Sequence, residues 1–278
     1  MYPAALAVAS FRITEEMFQN MANAGLAAME VSHSLKKHLE ADNLPQFAAW
    51  AKQYGVGLWS YHLPFWDDEL KFDISDVPTA DNTVKLFCSL IEEWVEAGIK
   101  YFVIHPSTEP ISDEDRPGHM ERSKKSLYML AEFAKTKGAV MCVENLPRTC
   151  LGKNSDEMLE LLSAHPDLRV CFDTNHLLSE PFVDFIHAVG DKIVTLHVSD
   201  YDYIDEKHWF PGEGLVDWHL LYRTLEEVGY DGVWMYETGL GDPKNRRTKK
   251  LTCEDFAQNA KEIAEGKPVT CYLTEKLV

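Results

Sequence analysis

The amino-acid sequence predicts a single (β/α)₈ barrel domain over residues 1–278. The length suits eight strand–helix units, which usually take roughly 250 residues. Short β-rich apolar runs alternate with longer stretches that carry apolar residues at helical spacing. Glycine recurs after helical stretches and before the next run, where a left-handed helix end is wanted, at Gly25, Gly55, Gly98, Gly138 and Gly229.

Eight segments are the strand candidates, and most are continuous runs of Val, Ile, Leu, Phe and Met. Such runs are typical of strands that are covered on both faces, as in parallel sheets. The segments are residues 4–10, 27–31, 56–62, 101–105, 140–144, 169–173, 193–197 and 233–237.

Amphipathic stretches between these runs predict helices, among them residues 80–97, 124–137, 155–164 and 218–228. Apolar residues in the first of them recur at helical spacing, at Val84, Phe87, Leu90, Ile91, Trp94 and Val95. Asn154 or Ser155 offers an N-cap for the third.

Repeated strand–helix alternation implies parallel strands joined by right-handed crossovers. An open doubly wound sheet would want a glycine-rich phosphate loop after the first strand, and residues 10–13, Ser-Phe-Arg-Ile, are not one. A closed barrel is therefore favoured. The longer loops, at residues 64–79, 106–120 and 198–216, all follow strands and are expected on the catalytic face.

The charge balance excludes some partners. The chain has 27 Lys and Arg against 45 Asp and Glu, a formal net charge of −18. Such a field repels phosphate backbones and anionic membranes, and no apolar run approaches the ~20 residues of a membrane span. We expect no nucleic-acid and no membrane partner, and a homo-oligomer is left open. The basic residues at 246–250 are interpreted as a solvated loop.

The six cysteines are scattered and form no C-x-x-C pair, at Cys88, Cys142, Cys150, Cys171, Cys253 and Cys271. Cys142 and Cys171 lie inside apolar runs, where a thiol behaves as a small buried hydrophobe. Together with the absence of a basic-then-apolar leader at the start, this pattern predicts a cytoplasmic location.

Ionisable residues stand at seven consecutive predicted strand ends. Because the C-terminal ends of parallel barrel strands point to one mouth, these side chains should converge. They are Glu30, His62, His105, Glu144, Asp173, His197 and Glu237. Glu30 also fits a hydrogen bond to neighbouring backbone or to an arginine, and His62 and His105 fit hydrogen-bonded core histidines.

Four of these residues make a plausible metal shell, namely Glu144, Asp173, His197 and Glu237. Buried acids that cluster need a cation. Three carboxylates and one imidazole suit one divalent ion, with Mn²⁺ ahead of Mg²⁺, Co²⁺ or Zn²⁺.

Several motifs resemble the xylose-isomerase-like barrel superfamily over about residues 25–237. They are SYHLPF (60–65), IHP (104–106), VENLP (143–147), FDTNH (172–176), LHVSD (196–200) and PGEG (211–214). That superfamily includes sugar-phosphate isomerases and epimerases, ketose 3-epimerases, hydroxypyruvate isomerase, inosose dehydratase and the AP endonuclease family 2.

The resemblance implies that Glu144 and Glu237 are metal ligands and the two acid/base residues, with Asp173 and His197 as the remaining ligands. It implies that the positions of His62 and His105 hold extra zinc ions in the endonuclease branch, and a substrate or nothing in the sugar branch. The expected substrate-binding residues are His62, His105, His176, Asp200, His208, Trp66 and Trp209. Both tryptophans lie in predicted loops, where they could stack on a sugar.

The sequence departs from parts of the superfamily. Ketose 3-epimerases carry a substrate-gripping Glu and Arg where this chain has Cys150 and Tyr203, which argues against simple ketohexose epimerisation. The endonuclease branch has an Asp-x-His pair where this chain has Glu206-Lys207-His208. The net charge of −18 argues against a nuclease.

The predicted function is a metal-dependent isomerase or epimerase of a sugar-like substrate that works by proton transfer through an enediolate. Three alternatives stay open. They are an inosose-type dehydratase with His176 or His208 as its acid, a zinc-dependent phosphodiesterase with three metals, and a non-catalytic sugar-binding barrel. One bound metal ion would favour the isomerase or the dehydratase, and three would favour the phosphodiesterase.

Overall fold

In a computed structural model, the described part of the chain forms eight parallel strands that alternate with eight α-helices. The structure describes residues 1–9, 12–32, 44–65, 71–238 and 246–275. The strands are β1 (Ala4–Ala9), β2 (Ala28–Ser32), β3 (Gly57–His62), β4 (Tyr101–Ile104), β5 (Val140–Glu144), β6 (Arg169–Asp173), β7 (Ile193–His197) and β8 (Trp234–Tyr236). All eight predicted strands are present, and three of them have the predicted bounds.

The strands follow the order β7-β6-β5-β4-β3-β2-β1-β8 in one sheet. The two outer strands meet through Val198, whose N–H donates to the Met235 carbonyl at 2.8 Å. In return, the Val198 carbonyl accepts from the Glu237 N–H at 3.1 Å. These bonds close the sheet, so the predicted (β/α)₈ barrel is confirmed.

The helices pack around the outside of the sheet. They are α1 (Glu15–Ala24), α2 (Leu44–Tyr54), α3 (Ala80–Val95), α4 (Arg116–Thr136), α5 (Ser155–Leu162), α6 (Phe182–Val189), α7 (Trp218–Glu227) and α8 (Cys253–Ala264). The predicted N-cap Asn154 accepts from the Glu157 N–H at 3.0 Å. All five glycines expected at helix ends have left-handed φ angles, between 69° and 91°.

Helix α4 begins at Arg116, well before the predicted residue 124, so the loop after β4 is shorter than expected. Apolar periodicity missed its first turns because they carry a single buried apolar side chain, Met120, and the next buried position is a serine, Ser123. Ser123 donates to the Pro106 carbonyl and Ser126 to the Ile74 carbonyl, which satisfies both hydroxyls in the interior. Among the described residues, no helix is both long and apolar enough to cross a membrane.

The barrel interior carries small side chains beneath the mouth. Cys142 and Cys171 are fully buried in a small cluster with Val103. Because side chains alternate along a strand, Cys142 lies below Glu144 and Cys171 below Asp173. All six cysteines are unpaired, as expected of a reducing compartment, and the cytoplasmic location stays a prediction.

Candidate active site at the mouth of the barrel

Four side chains from different strand ends converge at the mouth of the barrel. Glu144 ends β5, Asp173 ends β6, His197 ends β7, and Glu237 follows β8 directly. One ligand atom from each of these residues lies within 4.8 Å of the corresponding atoms of the others. The structure thus brings together the four residues that the sequence predicts as metal ligands, and we call them the mouth cluster.

Glu30 orients the imidazole of the mouth cluster. His197 Nε2 lies 2.9 Å from Glu30 Oε1, and both side chains are fully buried. Glu30 Oε2 accepts from Ser60 Oγ at 2.6 Å. With Nε2–H donated to Glu30, His197 turns its Nδ1 toward Glu144 at 2.9 Å and Glu237 at 3.5 Å. A carboxylate behind a histidine is the usual support of a metal-binding imidazole.

Two carboxylate oxygens of the mouth cluster are buried without a hydrogen-bond partner in the described part of the chain, namely Asp173 Oδ2 and Glu237 Oε2. The other oxygen of Asp173 accepts from the Asn175 N–H at 2.6 Å. Orphaned buried oxygens are costly unless a cation or proton satisfies them. Together with His197 Nδ1, they form a donor set that fits a divalent cation.

The pKa values of the cluster show the same need for positive charge. Burial raises the pKa of Asp173 to about 8, and Glu237 and Glu144 add to this rise while His176 opposes it. Burial would also raise the pKa of Glu144, but His197 and His105 hold it well below its usual range. At neutral pH, Asp173 therefore keeps a proton that a metal ion could replace.

His62 and His105 both point at Glu144. Each Nε2 lies 3.1 Å from Glu144 Oε2, and their rings meet edge to face with centroids 5.0 Å apart. Burial acts to lower the pKa of both imidazoles. The pKa of His62 is nevertheless raised, because its hydrogen bond to Glu144 outweighs burial, whereas the pKa of His105 is lowered because burial outweighs the attraction of Glu144. Both histidines are thus beside a cluster carboxylate, where they can hold or pass on a proton.

A second group of side chains, His176, Glu206 and His208, lies next to the mouth cluster. Glu206 Oε1 is 3.5 Å from His176 Nε2 and 3.6 Å from His208 Nε2. Burial would lower the pKa of both histidines, but acidic neighbours raise it to about 10 for His176 and about 9 for His208. These two neighbours in turn hold the pKa of Glu206 well below its usual range.

Two buried asparagines that the sequence did not single out position this region. Asn145 exchanges two hydrogen bonds with the backbone of Asp173, at 2.9 and 2.8 Å, and so ties the end of β5 to the end of β6. Asn175 Oδ1 accepts from the Lys207 N–H at 2.9 Å. The motifs VENLP and FDTNH contain both residues, but nothing in the residue pattern gives the direction of either amide.

A cavity of about 320 Å³ opens beside the two groups. His105, His176 and Glu206 line its inner side, and Phe65 lies against His105 with ring centroids 4.6 Å apart. Further out, its wall is formed by the loops after β4 and β5. Its volume suits a small polar molecule such as a monosaccharide.

Two of the predicted substrate contacts, Asp200 and Trp209, make other interactions in the structure. Asp200 accepts from the backbone N–H groups of Gly212 and Val216 and from the Trp218 indole N–H. Both of its oxygens are therefore used to hold the loop after β7. Trp209 pairs with the Asp200 backbone and stacks under Arg246, 5.2 Å from its ring centroid. Trp66 lies outside the described residues.

The loop that Asp200 organises also explains the PGEG motif. A Cβ at Gly214 would lie 2.4 Å from both Asp200 Oδ1 and the Tyr201 carbonyl oxygen, so only glycine fits there. Glu213 forms a buried ion pair with Arg247. The motif therefore builds the loop beside the site, whereas the residues that line the cavity come from other parts of the chain.

Comparison with known proteins gives consistent matches. A sequence model of the xylose isomerase-like TIM barrel family matches residues 18–257. Fructoselysine 3-epimerase of Escherichia coli O157:H7 is 22% identical over 244 residues, which cover 78% of this chain and 82% of that protein. An uncharacterized protein of Methanocaldococcus jannaschii is 27% identical over 160 residues, or 54% of this chain and 55% of that protein.

Solved structures share the fold at low sequence identity. A D-tagatose 3-epimerase-like protein superposes with a TM-score of 0.76 at 22% identity, over 96% of both chains. D-psicose 3-epimerase from Clostridium cellulolyticum H10 has a TM-score of 0.74 at 18% identity, over 97% of this chain and all of that one. These likenesses show the same barrel architecture.

Proposed function

The chain belongs to the xylose isomerase-like TIM barrel family, and from this membership we propose that it is a divalent-metal-dependent isomerase or epimerase of sugars. The observation that carries the proposal is the mouth cluster, with four ligand atoms within 4.8 Å and two orphaned carboxylate oxygens. The 3-epimerases among its relatives and structural neighbours, which act on sugars by their names, support the same reaction class.

Glu144, Asp173, His197 and Glu237 would hold the ion, with Mn²⁺ as the expected metal and Mg²⁺, Co²⁺ and Zn²⁺ as alternatives. When bound, the cation would polarise a substrate carbonyl and stabilise the negative charge that develops as a proton leaves the adjacent carbon. The neighbouring cavity of about 320 Å³ would receive the sugar.

Glu237 is the better placed of the two acid/base candidates to remove the proton, because its side chain is 26% exposed at the mouth whereas that of Glu144 is 1% exposed. Burial would raise its pKa, but His197 and His208 lower it, so that its carboxylate is ionised and able to act as a base. Glu144 belongs to β5, away from β8 in the sheet order. With His62 and His105 on its Oε2, Glu144 would return a proton from the other side.

A zinc-dependent phosphodiesterase is the second candidate. It is favoured by one observation, the three adjacent groups of possible metal ligands around His62, His176 and Glu144. Against it stands the net charge of −18, which opposes a polyanionic substrate. Metal analysis of the purified protein separates the two, since one ion per chain supports the isomerase and three support the phosphodiesterase.

The decisive experiment follows solvent exchange. Metal-loaded protein is incubated in D₂O with candidate ketoses, sugar acids and inososes, and NMR detects deuterium at the carbon beside the carbonyl. Glu144→Gln and Glu237→Gln should each lower the rate by about 10²–10⁴-fold, measured with metal content confirmed. Glu114→Gln, an exposed acid on the catalytic-face loop after β4, serves as the matched control. Product without solvent label would indicate a hydride shift and remove both glutamates from the acid/base role.

A further inference from the structure

Arg148 occupies an unusual position on the outer wall of the cavity. It follows the VENLP motif and lines the cavity together with Glu109 and Glu206. Its φ angle is 52°, in the left-handed region that side-chain-bearing residues seldom adopt. Such a conformation persists only where surrounding contacts hold it in place, and here the contacts come from the loops after β4 and β7.

The guanidinium of Arg148 is engaged almost entirely by carboxylates. Nε and Nη2 both donate to Glu109, at 2.9 and 2.6 Å. Nη1 donates to Asp205 at 2.7 Å and also contacts Glu206. An arginine has one N–H at Nε and two at each terminal nitrogen, so these bonds leave at most one Nη2 hydrogen for another group.

The positively charged donors of this wall are therefore already engaged by protein groups. Three carboxylates surround one guanidinium, and Arg148 is the one Lys or Arg among the described residues that line the cavity. His176 adds no free donor, because its Nδ1 lies 2.9 Å from the Asn145 carbonyl and its Nε2 faces Glu206. We call Arg148, Glu109, Asp205 and Glu206 the Arg148 clamp.

We infer that the Arg148 clamp determines the charge of the substrate: the cavity accepts neutral or amine-bearing sugars and rejects phosphorylated or carboxylated ones. This inference rests on the proposed function. An anionic group would have to displace a carboxylate from Arg148 or lie unpaired beside three carboxylates, and like charges brought together at a partly buried surface are strongly disfavoured. An ammonium group, in contrast, finds free carboxylate lone pairs there.

The test compares sugars that differ only in charge. The probes are a free ketohexose, its 1- and 6-phosphate esters, and its 1- and 6-amino-deoxy derivatives. For the metal-loaded protein, we expect kcat/KM for the phosphate esters to be at least roughly 30-fold below that of the free ketose. The amino derivatives should equal or exceed the free ketose. The discrimination should shrink at high salt, because screening weakens partly exposed charge interactions.

Glu109→Gln releases Arg148 from its bidentate partner and should raise the ratio of phosphate-ester to free-ketose kcat/KM by about tenfold, through a lower KM for the ester. Glu114→Gln, on the same loop but outside the clamp, should leave the ratio unchanged. A clamp that only stabilised the loops would not change this ratio. Phosphate esters used as well as the free ketose by the unaltered protein, or a ratio unaffected by Glu109→Gln, would overturn the inference.

Failure of the proposed function is distinguishable from failure of this inference. If no probe is turned over, isothermal titration of the same sugars decides the inference. Tighter binding of the amino or free sugar supports the clamp, and tighter binding of the phosphate esters refutes it.

Discussion

Replacing Glu30 by Gln tests whether the buried carboxylate behind His197 supports a metal site. Glu30 Oε1 lies 2.9 Å from His197 Nε2, and both side chains are fully buried. Glutamine keeps the size and one acceptor oxygen but removes the negative charge. The ring would then be held by a neutral hydrogen bond in place of a charge-assisted one, a difference of roughly 1–2 kcal/mol.

This difference predicts that the Kd for Mn²⁺ increases about 10- to 100-fold, the usual effect of removing an outer carboxylate from a metal-binding histidine. The assay is competition between the protein and a fluorescent chelator for Mn²⁺ at constant pH. Thermal unfolding with and without the metal gives an independent measurement, because a ligand that binds only the native state stabilises it by an amount that increases with the logarithm of the ligand concentration over Kd.

Ser60→Ala is the matched control for this experiment. The Ser60 hydroxyl donates to the other oxygen of Glu30 at 2.6 Å. The substitution therefore removes one partner of Glu30 but keeps the negative charge of Glu30 beside His197. Its effect on metal affinity should be several-fold smaller than that of Glu30→Gln. A folded Glu30→Gln protein with unchanged Mn²⁺ affinity would refute the reasoning and reduce Glu30 to a satisfied buried acid.

Three further outcomes are expected. The metal-free protein should lose free energy of unfolding as pH rises from about 6.5 to 9.5, measured by urea denaturation. The folded-state pKa values of Asp173, His208 and His176 are raised to about 8, 9 and 10. The folded state therefore holds protons that the unfolded chain releases at lower pH. A free energy of unfolding that increases over this pH range would contradict the prediction. Asp200→Asn should destabilise the protein by roughly 1–3 kcal/mol in the same assay and leave Mn²⁺ affinity unchanged, because both oxygens bond within the loop after β7. Purified protein should not nick abasic duplex DNA at low salt, where the charge of −18 is least screened; efficient nicking that His105→Ala abolishes would favour the phosphodiesterase.

The sequence by itself determined the barrel and the members of the mouth cluster. Continuous apolar runs bounded by glycines are a local signal, because strands buried on both faces have no polar side to show. The topology then places the site, because the C-terminal ends of parallel strands in a closed sheet all lie at one mouth. The strand-end residues that meet there include Glu144, Asp173, His197 and Glu237. The beginning of α4 was missed, since its first turns bury one apolar side chain, Met120, followed by the hydroxyl-bearing Ser123.

Only the tertiary structure decided how side chains at the mouth use their hydrogen bonds. The sequence puts Asp200 beside a strand end, yet both of its oxygens turn into the loop after β7. It gives no reason to pair Glu30 with His197, 167 residues away, or Arg148 with Glu109 and Asp205. Strand ends are brought together by backbone geometry, which apolar patterning reveals. The direction of a polar side chain depends on partners from distant loops, and no local pattern records them.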